Sequence, residues 1–95
     1  MAERVSVNSS VIASQGQVHY KIDDEVVVFN SDSGVYYGLD DTGVRVWELL
    51  QEARSAAQIG QILVEEYQVT QQRCEEDLLA MLQDMADAGL ILVND

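Results

Sequence analysis

Proline is absent from this 95-residue sequence, and cysteine and histidine occur once each. Without proline, no rigid linker is signalled. With Cys74 alone, no internal disulfide can form, which fits a reducing cytoplasm. His19 alone cannot support a His-rich metal site or a catalytic triad. Cations are almost as scarce. Arg4, Lys21, Arg45, Arg54 and Arg73 face 17 acids, for a net charge of −12. Such a chain repels duplex nucleic acid, whose binding rests on neutralising phosphates, and is disfavoured at an anionic membrane. Long apolar runs are missing too. Runs of four or five residues, as at residues 26–29 and 90–93, fall far short of the ~20 residues a membrane helix needs. Residues 1–10 contain no apolar stretch of the signal-peptide kind, so a cytoplasmic location is expected. No G-x-S-x-G, G-x-G-x-x-G or P-loop motif occurs, and no cofactor is expected.

What is present is enough for one domain with a modest core: hydrophobic residues make up 47% of the chain. Its front half is patterned for strands. Residues 1–16 are polar and small and are expected to form a flexible arm, with room for a short strand at residues 5–7 or 11–13. Gln17–Ile22 alternates, with Val18, Tyr20 and Ile22 on one face and His19 and Lys21 on the other. Asp23 and Asp24 make a turn. Residues 25–29 are a β-branched run of the kind found in central strands. Residues 30–34, Asn-Ser-Asp-Ser-Gly, are turn formers. They resemble the start of a calcium loop, but the twelfth position holds Asp41 rather than glutamate. Val35–Leu39 is then the third strand of an antiparallel meander, and an edge.

The back half has helical periodicity. Val46, Leu49, Leu50 and Ala53 form the stripe of a first helix that starts near Asp41 or Thr42 and ends near Glu52. Ser55 and Gln58 form a capping box for a second, striped by Ile59, Ile62, Leu63 and Tyr67. Thr70 is a suitable N-cap for a third. Its stripe is Cys74, Leu78, Met81, Leu82 and Met85, and Gly89 is placed to end it. Residues 90–93 read as a short β-like stretch. The expected fold class is α+β: a three-stranded antiparallel sheet followed by a three-helix bundle, in a winged helix-turn-helix-like arrangement.

One segment is more specific. Asp32-Ser33-Gly34-Val35-Tyr36-Tyr37-Gly38-Leu39-Asp40 is followed by Gly43 and by Trp47-Glu48-Leu49-Leu50. Later come Glu76-Asp77-Leu78-Leu79, Leu82 and the closing Ala88-Gly89-Leu90-Ile91. This pattern resembles the family named for pyrroloquinoline quinone synthesis protein D, the precursor-peptide recognition elements. It is most similar to the stand-alone recognition protein of lasso-peptide biosynthesis. The resemblance covers roughly residues 18–93 and implies that residues 17–95 form the recognition domain. It implies a non-catalytic protein that binds the leader of a ribosomally made precursor peptide by β-strand addition. Its implied partners are that peptide, a cysteine protease that removes the leader, and a cyclase.

Carried over by position, Val35, Tyr36, Tyr37, Gly38 and Leu39 would form the receiving edge. Cys74, Asp77, Leu78, Met81 and Met85 would line a groove on the third helix. Each position also has a plainer reading. Gly38 would either admit another backbone or mark a bulge. Tyr36 and Tyr37 point to opposite faces, one to the core and one to the groove. Met81 and Met85 would be groove or core, and Cys74 a small buried hydrophobe. Asp77 would accept a hydrogen bond from the leader or act as a helix acid. The competing function is a winged-helix DNA-binding regulator, which demands a basic third helix; this one has Arg73 against Glu75, Glu76, Asp77, Asp84 and Asp87. A monomer or a weak homodimer through the open edge is expected. The pure chain, with metal chelated and protease contaminants excluded, should leave a leader peptide intact; cleavage seen by mass spectrometry would overturn the non-catalytic reading.

Overall fold

A computed structural model describes residues 5–14, 17–22, 25–30 and 34–94. The elements run β1 (Ser10–Ala13), β2 (Gln17–Ile22), β3 (Glu25–Asn30), β4 (Val35–Leu39), α1 (Asp41–Leu49), β5 (Arg54–Ser55), α2 (Ala56–Tyr67), α3 (Gln71–Asp87) and β6 (Ile91–Asn94). The class is α+β, with an antiparallel meander and three helices, as expected. The meander has the order β2-β3-β4. Val18 stands opposite Phe29, Val28 opposite Tyr37 and Asn30 opposite Val35. The Asp23-Asp24 turn and the alternation of side chains along β2, His19 included, lie outside the described residues. So do residues 31–33 of the second turn. That turn closes with Gly34 N–H donating to Asn30 O at 2.8 Å. Gly34 has φ +73°, a conformation that costs glycine little.

The helices begin where side chains can satisfy their first N–H groups. Asp40 Oδ1 accepts from Gly43 N at 2.7 Å and caps α1. Ser55 and Gln58 exchange both bonds of a capping box, at 3.1 and 2.9 Å. Thr70 has the extended backbone of an N-cap, but its hydroxyl makes no capping bond. Gly89 ends the last helix at φ +77°. The first helix stops at Leu49, short of the expected end near Glu52, and Ala53 is exposed rather than part of the stripe.

The short strand expected at residues 11–13 is present as β1, but it does not sit in a flexible arm. Residues 5–14 are part of the folded unit. Strand β1 is the centre of a second small sheet, in the order β5-β1-β6. Ser10 pairs with both Ser55 and Asn94, and Val11 pairs with Val93. Backbone bonds extend this seam. Ala13 N donates to Leu50 O at 2.8 Å, Ser14 N to Leu90 O at 2.9 Å and Ala57 N to Val7 O at 2.9 Å. Val11 is fully buried and Val5 nearly so. They join one core with Val28, Val46, Leu50, Ile59, Leu82, Met85 and Leu90. Val11 and Ile12 favour a strand locally, and the strand is fixed in a sheet because its partners lie far along the chain. Among the described residues no helix is long and apolar enough to cross a membrane.

Val11→Ala tests this seam. Emptying a sealed core position should lower stability by about 2 kcal/mol in urea unfolding. A change within about 0.5 kcal/mol is what a solvated arm would give.

Candidate functional site

Strand β4 is paired on one side only. Its ladder with β3 runs without a break from Val26 opposite Leu39 to Asn30 opposite Val35. No described strand pairs with its other edge. The unbroken register removes the bulge reading of Gly38. A Cβ at Gly38 would meet nothing within 4 Å, so the face of the strand that Gly38 shares with Tyr36 is open at that point. The two tyrosines diverge as strand geometry requires. Tyr36 is 72% exposed and tilts against Phe29, with ring centroids 5.3 Å apart. Tyr37 is half-buried and turns towards the helices. Only the backbone of Tyr36 therefore belongs to the groove. Val35 contributes its place in the ladder.

Two hollows lie along the face of α3 that looks towards this edge. The smaller, about 150 Å³, is lined by Tyr37, Gly38, Leu39, Asp40, Gly43 and Met81. The larger, about 500 Å³, is walled by Val46 of α1, Leu63 and Tyr67 of α2, and Cys74, Leu78 and Met81 of α3. Met81 lines both, and so joins the strand edge to the larger hollow. Asp77 and Arg73 also line the larger hollow, paired at 3.7 Å with both side chains largely exposed. Met85 does not belong here. It is fully buried, because it lies one turn beyond Met81 where α3 is closed over by the core.

Thus Tyr37, Gly38, Leu39, Cys74, Asp77, Leu78 and Met81 are brought together. Thr42, Val46, Leu63, Tyr67 and Val69 were not foreseen as part of the wall. One sequence signal was available for Tyr67 and Val69: they are apolar residues on either side of a helix end, and both are left 43–44% exposed. The helix end itself had no glycine to mark it, since Gln68 takes the left-handed conformation at φ 54°.

Burial and nearby carboxylates act on two groups of the site. Burial, then Asp84 and Asp40, push the Tyr37 phenol above its ordinary range. Burial, then Asp77 and Glu75, do the same for the Cys74 thiol. A thiol held in its protonated form is a poor nucleophile. Its Sγ is 3.9 Å from Gly60 O, a weak contact inside the helix pair. Among the described residues no three His, Cys, Asp or Glu side chains are grouped as a metal site would require. At the far side of α1, Arg45 holds Glu66 through both carboxylate oxygens, at 2.7–3.2 Å. That pair ties α1 to the end of α2 beside the larger hollow.

A family model described as coenzyme PQQ synthesis protein D matches residues 25–91. A solved structure of TbiB1 in complex with the TbiA(beta) leader peptide is 36% identical, covers 84% of this chain and 93% of that one, and superposes with a TM-score of 0.74. A lasso peptide synthetase B1 complexed with the leader peptide is 26% identical over 86% and 96% of the two chains, at TM-score 0.74. The PqqD truncation of Methylobacterium extorquens PqqCD, a recognition element for ribosomally synthesized and post-translationally modified peptides, shares the fold. Its TM-score is 0.77, at 23% identity over 93% and 94% of the chains. No curated protein matches the chain.

The Tyr37 environment has a pH consequence. Its folded-state pKa lies above the unfolded value of about 10. The folded state then holds its proton more tightly, and the neutral phenol contributes stability that is complete below about pH 10. That contribution is lost as pH rises through the folded value. Between pH 9 and 11, thermal melts of the wild type should fall more steeply than those of Tyr37→Phe. Parallel curves would show that the phenol is not perturbed.

Proposed function

The chain belongs to the coenzyme PQQ synthesis protein D family, and we propose that it captures the leader of a ribosomally made precursor peptide as an added strand on β4. The observation that carries this reading is the open β4 edge lying beside α3, with two hollows that meet at Met81. Main-chain bonds from Val35 to Leu39 would give affinity without regard to leader sequence, and the hollows would select side chains. Tyr37, Leu39, Cys74, Leu78 and Met81 form the apolar walls, with Asp77 at the rim. Two relatives, TbiB1 and a lasso peptide synthetase B1, were solved with leader peptides, which supports a lasso-type precursor.

In this reading the protein does no chemistry of its own. It works in the cytoplasm and hands the bound peptide to a leader peptidase of cysteine-protease type and to a cyclase. A DNA-binding role has little support. Helix α3 presents five acids, and its Arg73 is occupied by Asp77. Phosphates would be repelled rather than neutralised.

Met81→Asp is the direct test. It places a charge where apolar leader atoms would be buried, and desolvating that charge is costly. A labelled leader should bind roughly 30- to 150-fold more weakly, or about 2–3 kcal/mol. His19→Ala, on the strand farthest from the edge, should shift binding by less than about 0.5 kcal/mol. Both variants are first checked for native melting. Wild-type binding by Met81→Asp would move the peptide to another surface.

A further inference from the structure

We propose that Asn30 sets the width of the groove between β4 and α3, as a positioning residue that never touches the peptide. The inference rests on the leader-binding reading for its purpose, though not for its geometry.

A groove with one wall on a sheet and the other on a helix must be held at both ends. At the Leu39 end the chain ties the sheet to α1, whose Val46 shares the larger hollow with Leu78 and Met81 of α3. Strand β4 passes straight into α1, Leu39 is buried, and Asp40 caps the helix through Gly43 N at 2.7 Å. Gly43 is tight against that corner, since a Cβ there would lie 3.2 Å from both Leu39 and Asp40.

The Val35 end has no such covalent tie. There the ladder places Asn30 directly opposite Val35. Asn30 is only 8% exposed, and its side-chain Nδ2 donates to Gly89 O at 3.0 Å. Gly89 sits at the C-terminal end of α3. One side-chain bond therefore connects the open end of the sheet to the end of the opposing wall. Gly89 makes the approach possible, because a Cβ on it would stand 3.2 Å from that Nδ2. The same carbonyl accepts from Ser14 Oγ at 3.1 Å, and Ser14 N donates to Leu90 O at 2.9 Å. The anchor point is thus itself fixed to the small sheet.

The remaining links from the meander to the helices include Val28 and Leu39 in the core, with Val26 and Tyr37 packed against it. Apolar burial is non-directional and resists separation more than sliding. A hydrogen bond of 3.0 Å fixes distance and angle. Asn30 thereby holds Tyr37 at its distance from Met81 across the smaller hollow.

The test uses two readouts on the full chain. In the peptide-free protein, nuclear Overhauser cross-peaks between the Tyr37 ring and the Met81 methyl report the gap. In Asn30→Ala and in Asn30→Asp, whose carboxylate repels Gly89 O, these cross-peaks should weaken while the chain still melts cooperatively. A fluorescein-labelled synthetic leader of the cognate precursor should bind roughly 5- to 20-fold more weakly. Ser14→Ala removes the other donor to the same carbonyl without touching the meander, so it should bind within twofold of wild type. Should Asn30→Ala fail to fold, Asn30→Ser carries the same measurements. Unchanged cross-peaks in the Asn30 variants, or affinity within twofold of wild type, would overturn the proposal. If the wild type itself does not bind the leader, the leader-binding reading falls, and the peptide-free cross-peaks still decide whether Asn30 holds the gap.

Discussion

Strand β4 has two sides, and β3 pairs with only one of them. Every second residue directs its N–H and C=O to the other side, where no described strand meets them. In most proteins such an edge is covered, shortened or charged. Here α3 runs close enough to share a hollow with Tyr37, Gly38 and Leu39, yet leaves the ladder open. This opening depends on the spacing of sheet and helix. Closer packing would leave no room for a strand, and wider spacing would remove the apolar walls.

Holding that spacing is a task for the parts of the chain that no peptide reaches. The small sheet gathers residues from the beginning, middle and end of the sequence: Val11, Arg54 and Val93. It closes over fully buried Leu50, Leu82, Met85 and Leu90. Helix α3 is fixed along its inner face by that core, while its outer face keeps Met81 only partly buried. The division suits the two duties. Close-packed residues resist displacement, and a flexible thioether at the rim can adapt to varied side chains. The Arg45–Glu66 pair has good geometry, but both side chains are about a third exposed. Its worth lies in orienting α1 against α2 more than in stability.

The elements legible in the sequence are those whose cause is local. The β-branched run of β3, the Ser55–Gln58 box and the left-handed Gly89 each act within a few residues of themselves. What escaped was decided at long range. Residues 5–14 look like an arm with a short strand; the central place of that strand in a sheet is decided by residues 54–55 and 91–94. Met81 and Met85 sit four apart on one helix face, and spacing alone cannot separate them. The core closes over Met85 and leaves Met81 only partly buried. The larger hollow was hidden for a third reason. Its outer wall includes Tyr67 and Val69, flanking a turn at Gln68 that lacks the expected glycine. Thr70 shows the reverse case, a residue suited to capping that occupies the N-cap position without using its hydroxyl.

The acid excess takes on a physical meaning beside an open edge. An unpaired strand is a template for its own kind, and a second β4 would fit it in the backbone sense as well as a leader would. Two copies that meet carry −12 each, so their approach is opposed by long-range repulsion that salt only partly screens. A peptide bearing little charge or a few lysines meets no such barrier, and its encounter is favoured. Asp40 and Asp77 line the two hollows, and Asp84 lies near enough to act on Tyr37. The bias is therefore present at the edge as well as in the net charge. The same carboxylates thus disfavour a second copy relative to a less acidic strand of equal backbone fit.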